Sequence, residues 1–119
     1  MKIPGPDHPI TISEANERVR VIFAGKTVAD TTRALMLKEA NYPPVYYVPR
    51  ADADMGLLAR TAHASYCPYK GDASYFTISA DGRAADNAVW TYETPYPAVA
   101  GIKEYLAFYP NRVDEIKVG

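Results

Sequence analysis

The chain has 119 residues, close to the commonest domain size and long enough to bury a core of its own. With 13 basic and 14 acidic residues, a net charge of −1 and no run of like charges, it offers neither a nucleic-acid footprint nor a phosphate-binding stripe. No apolar stretch reaches membrane-spanning length, the opening Met1–Pro6 lacks the apolar core of a signal peptide, and one cysteine makes no internal disulfide, so a single cytosolic domain is expected.

Residues 1–9, rich in Pro and Gly, are expected to form an extended arm with His8 and Pro9 in solvent. Residues 18–23 alternate as a strand, 24–26 read as a turn and 27–30 as the returning strand. Residues 33–40 have helix-favouring composition but span only two turns before Tyr42-Pro43-Pro44, and sheet pairing is expected to make them a strand. Val45–Val48 is a compact strand stopped by Pro49, and Asp52 is placed to cap a short turn through Met55 to Leu58. Tyr75–Ser79 and Ala88–Tyr92 read as paired strands, with Asp81-Gly82 supplying a hairpin signal. Pro97 suits the first turn of a short helix over 98–101, Ile102–Tyr109 reads as a long strand, and Val113–Val118 as a last one. Ten prolines favour such short strands over long helices. Seven or eight strands with one or two helical turns make a mainly β, mostly antiparallel protein, in one domain over 1–119.

The most informative segment is Cys67-Pro68-Tyr69-Lys70-Gly71. A thiol becomes nucleophilic when a nearby cation stabilises its thiolate, and Lys70 is near enough in sequence to do so. Pro68 fixes the chain direction, and Gly71 permits a turn that exposes the loop to a ligand. The same thiol also fits a small buried hydrophobe. A histidine partner would come from His8 or His63, and Asp52 and Asp54 form the one close carboxylate pair in this region. A capping role accounts for Asp52 without any chemistry.

Tyrosines supply the second signal. Tyr46, Tyr47, Tyr66, Tyr69, Tyr75, Trp90 and Tyr92 all fall on or beside expected strands, and Trp90 and Tyr92, two apart, share a strand face. They make either a tyrosine-rich core or an aromatic wall for a planar or cationic ligand. Cysteine and histidine pairs with metal-ligand spacing, a glycine-rich phosphate loop and a Gly-x-Ser-x-Gly elbow are all absent, so no metal or cofactor is expected.

The five-residue cysteine motif, with Tyr75 and Trp90-Thr91-Tyr92, resembles the family of domain of unknown function 427. Tyr46-Tyr47-Val48-Pro49-Arg50 followed by Asp52, and Leu106-Ala107-Phe108-Tyr109, extend the resemblance over about residues 18–118. It implies the β-tent fold, two splayed antiparallel sheets, shared with methionine sulfoxide reductase B and the ligand-binding domain of cereblon. Relatives of that fold carry a structural zinc on four cysteines, and a chain with one cysteine does not provide that site. Family members are sometimes labelled nucleotidyltransferases, but no Gly-Ser with Asp-x-Asp arrangement is present to hold a metal–nucleotide complex.

Three functions follow as expectations. The first is binding of a small molecule in an aromatic pocket, with Tyr47, Arg50, Tyr69, Gly71, Tyr75, Trp90 and Tyr92 around the ligand. The second is an enzyme with Cys67 as a redox or nucleophilic thiol, supported by Lys70 and Asp52. The third is an interaction protein forming a homodimer.

Overall fold

The computed structural model describes residues 1–119. Ten strands follow in chain order: β1 (Ile10–Glu14), β2 (Val19–Phe23), β3 (Lys26–Thr31), β4 (Leu35–Glu39), β5 (Val45–Tyr47), β6 (Leu58–Cys67), β7 (Gly71–Ala80), β8 (Arg83–Tyr92), β9 (Leu106–Phe108) and β10 (Glu115–Val118). Hydrogen bonding groups them into three antiparallel sheets, ordered β1-β4-β5, β10-β2-β3 and β6-β7-β8-β9. The only helical pieces are short 3-10 turns at Arg50–Asp52, Met55–Leu57 and Pro97–Ile102. The chain is therefore mainly β, as its prolines and alternating segments predict. No helix is long and apolar enough to cross a membrane.

Local chemistry explains the pairings. Ala24-Gly25 and Asp81-Gly82 all take positive φ, the geometry of a two-residue hairpin turn whose twist matches the strands it joins. These turns set β2 against β3 and β7 against β8. Residues 35–39 pair on both sides, with β1 and with β5, so sheet contacts prevail over helix-favouring composition.

Strands β7, β8 and β9 of the four-stranded sheet bury both faces, because successive residues go to different cores, while β6 is largely exposed. Phe76, Val89, Leu106 and Phe108 join Val21, Phe23 and Val28 of the β10-β2-β3 sheet in an aliphatic core. Tyr75, Tyr92 and Ala107 join Leu37 and Tyr47 of the β1-β4-β5 sheet in the other. The seam between the β5 end and β9 is stitched by two backbone bonds between Val48 and Leu106, at 2.7 and 2.8 Å.

Several expectations are corrected. Residues 58–67 form a ten-residue strand that alanines, threonine and serine did not advertise, and Ile10–Glu14, outside the segments assigned above, is another strand. The strand expected over 102–109 shrinks to Leu106–Phe108, because Ile102 ends a 3-10 turn and Glu104 takes a positive φ. Asp54, not Asp52, caps the turn at Met55–Leu57, accepting from the Gly56 amide at 3.1 Å. The arm is tied down at points, with Lys2 N–H donating to the Pro68 carbonyl at 2.7 Å and Gly5 and His8 closing a small backbone bridge; His8 is half-buried, while Pro9 is exposed as expected.

Candidate functional site

A cavity of about 630 Å³ opens between the β4–β5 hairpin and the β7–β8 hairpin. Strand register builds it. Tyr75 lies opposite Trp90, and Ala73 opposite Tyr92, so these four share one face of the sheet. Leu37 and Tyr47 face them from β4 and β5, and Tyr42-Pro43-Pro44 and Tyr109-Pro110 complete the wall. Lys38 pins the first of these loops by donating to the Ala40 and Tyr42 carbonyls.

The rings hold one another. Trp90 Nε1–H donates to the Tyr47 hydroxyl at 3.3 Å, with the two rings edge-on, and Trp90 also packs on Tyr109 at 4.5 Å between centroids. The Tyr75 hydroxyl meets Ser65 Oγ at 2.8 Å and the Tyr109 hydroxyl at 3.5 Å. Burial raises the Tyr47 and Tyr92 phenols well above their ordinary value, and it pushes Tyr109 up to about 12. All three stay protonated at neutral pH.

One charged pair lines the cavity. Glu39 lies at the end of β4 on the same face as Leu35 and Leu37, and a carboxylate there requires partners. It accepts from the Lys70 ammonium and from His8 Nε2 at 2.7 Å. Burial works to raise the Glu39 carboxyl, but the hydrogen bonds and charges of Lys70 and His8 outweigh it and hold the group below its ordinary range. His8 in turn stacks flat on Tyr69 at 4.0 Å, with the Lys2 ammonium 5.9 Å from the same ring centroid. Gly71, at φ +107°, lets the chain leave Lys70 in a conformation that L side chains avoid.

The residues singled out from sequence therefore divide. Tyr47, Tyr75, Trp90, Tyr92 and Lys70 come together around the cavity. Cys67, half-buried at the end of β6, packs against the tyrosine-rich core but does not line the cavity, and the Lys70 ammonium is bound to Glu39. Tyr69 is occupied by His8. Arg50 donates to the Glu104 carbonyl at 2.8 Å and to Thr91 Oγ1 at 3.2 Å and lies over Phe76, on the sheet's other face. Asp52 accepts from Thr31 at 2.7 Å and from Arg33. Sequence reasoning passed over Glu39, although a charged residue in register with Leu35 and Leu37 was a readable signal; Tyr42 and Tyr109 carried none.

The family model for "Domain of unknown function (DUF427)" matches residues 11–119, nearly the whole chain. The chain belongs to this family. The short name of the family model carries a nucleotidyltransferase label. No curated protein matches the chain. The DUF427 match begins one residue into β1, so β2 to β10 all lie inside it, with both cavity walls.

Proposed function

We propose that this DUF427 domain is a small-molecule binding module whose ligand is planar and lies in the tyrosine-lined cavity. The observation that carries the reading is the convergence of Tyr47, Tyr75, Trp90, Tyr92 and Tyr109 on one space of about 630 Å³. That volume is within the usual range for sites of drug-sized ligands, and flat aromatic walls favour flat partners. Lys70 and Glu39 add the few polar groups that orient a ligand in an otherwise apolar site.

Trp90 is the only tryptophan and lines the cavity, so its emission reports occupancy. A set of planar aromatic compounds titrated into the protein should contain members that change Trp90 emission saturably and raise Tm together. A set in which none does either would overturn the reading.

Chemistry at Cys67 has less support, since the lysine that would stabilise a thiolate is held by Glu39. The unpaired thiol fits a reducing compartment, the cytosol. A homodimer has one observation in its favour. β6 is an edge strand of ten residues that pairs only with β7, and its other edge is free to accept a second copy. Light scattering over a wide concentration range checks this; a constant monomer mass removes it.

A further inference from the structure

The tyrosines lining the cavity are not equivalent in their hydrogen bonding. Tyr75 is bonded to Ser65 and Tyr109. Tyr47 accepts a hydrogen bond from the Trp90 indole N–H but donates its own to no protein group. Tyr92 is 6 % exposed as a residue, and its hydroxyl, which keeps some contact with solvent, makes no hydrogen bond to a protein group. A ligand seated in the cavity would displace the water this hydroxyl can reach and would have to replace its hydrogen bond. The Lys70 ammonium has three protons and gives one to Glu39, so it too has donor capacity left on the cavity wall. The unclaimed protons are those of Tyr92, Tyr47 and Lys70, and of these groups Lys70, the one cation on the wall, can only donate. The one carboxylate, Glu39, is already shared between Lys70 and His8.

We infer that the ligand is a planar molecule with an acceptor oxygen, a carbonyl or a carboxylate, that takes hydrogen bonds from Tyr92, Tyr47 and Lys70, and not a cation caged by the rings. This rests on the cavity being the binding site. An aromatic box alone would suit a cation. Here, however, a cation would leave the Tyr92 and Tyr47 protons unmet and would lie beside the Lys70 ammonium, while the available carboxylate is committed. Because burial keeps both phenols protonated, they remain donors across the physiological range.

The test uses three probes of one shape: naphthoate, naphthamide and naphthylmethylamine, titrated by calorimetry into the full chain and into Tyr92→Phe. Naphthoate and naphthamide are expected to bind roughly tenfold or more tighter than the amine, and Tyr92→Phe to weaken both about tenfold, the effect of one well-made hydrogen bond. The amine should be indifferent to the substitution. Without ligand, Tyr92→Phe should melt no lower than the parent, since it removes a hydroxyl that no protein group satisfies. A preference for naphthoate over naphthamide would identify the acceptor as a carboxylate, and equal binding would identify it as a neutral carbonyl; both support the inference. Equal binding of all three probes, tighter binding of the amine, or a Tyr92→Phe protein that binds the oxygen-bearing probes unchanged would overturn it while leaving the cavity as a site. If no probe binds and Trp90 emission does not move, the cavity reading and the inference fall together.

Discussion

On one face of the β6-β7-β8-β9 sheet, Ile78, Val89, Leu106 and Phe108 pack against Val21, Phe23 and Val28 in an aliphatic core. On the other, Tyr75, Trp90 and Tyr92 face Tyr47 and Leu37 across a cavity. Neighbouring residues of the same strands supply both faces, so the difference comes from side-chain shape and polarity. Branched aliphatic groups interdigitate closely, and this side keeps only a smaller cavity, of about 290 Å³, at its edge beside Val21, Val48, Phe108 and Ile116. Rigid phenol and indole rings, tied tip to tip by hydrogen bonds and alternating with Ala73 and Ala107, do not collapse onto one another. A ring-built core holds open about twice the space that the aliphatic one leaves.

Truncation tests that contrast most directly. Ile78 and Leu37 are both buried, at 0 % and 2 % exposure, one in each core. Ile78→Ala should cost about 4 kcal/mol in urea unfolding, and Leu37→Ala, whose side chain already borders empty space, about 2 kcal/mol. Equal costs would mean that the cavity wall is packed as tightly as the aliphatic core.

The next effect concerns the ion pair, whose side chains are 10 % and 15 % exposed. Lys70→Met leaves the largely buried Glu39 carboxylate with His8 as its one partner and should cost about 3 kcal/mol; adding Glu39→Gln should recover most of it. A double variant no better than the single one would show that Lys70 stabilises through its stem and not through the pair.

The tyrosine face should also respond to alkali. In the unfolded chain the phenols ionise near 10, whereas Tyr47 and Tyr92 are raised in the folded state. A raised value means that their contribution is complete below pH 10 and is lost as pH rises beyond it. Absorbance of tyrosinate should show two of the ten tyrosines ionising only together with unfolding.

The smallest effect is expected from the polar cluster on the opposite face. Arg60, with help from Arg50, brings the Glu93 carboxyl down from 4.5 to about 2 against a smaller opposing effect of burial. A lowered value means stability that is present above pH 4.5 and lost as pH falls toward 2. Glu93→Gln should flatten the acid side of the stability profile and, because these side chains are partly solvated, cost roughly 1 kcal/mol at neutral pH.

Much of this contrast was legible before the fold. Trp90 and Tyr92 share a face by spacing alone, and Asp81-Gly82 placed the hairpin that aligns Tyr75 with Trp90. What escaped reading depended on contacts distant in sequence. Nothing local says that His8 stacks on Tyr69, or that Lys70 reaches across to Glu39 and not back to Cys67. β6 escaped because Ala59, Ala62 and Ala64 have little preference for a strand; β7 holds them there by pairing.

The closing of the β10-β2-β3 sheet has a consequence for how the chain reaches this state. Val19 pairs with Val118 and Val21 with Ile116, so strands from opposite ends of the sequence meet as neighbours. Ile116 packs against the aliphatic core from β10, and that core is incomplete until this pairing is made. Joining segments so far apart requires closing a long loop before any contact offsets the lost entropy, which puts refolding in the millisecond-to-second range typical of nonlocal β topologies. Until then the apolar faces of β2 and β7 stand open to other chains, so the interval before the sheet closes is when this protein is most prone to aggregate.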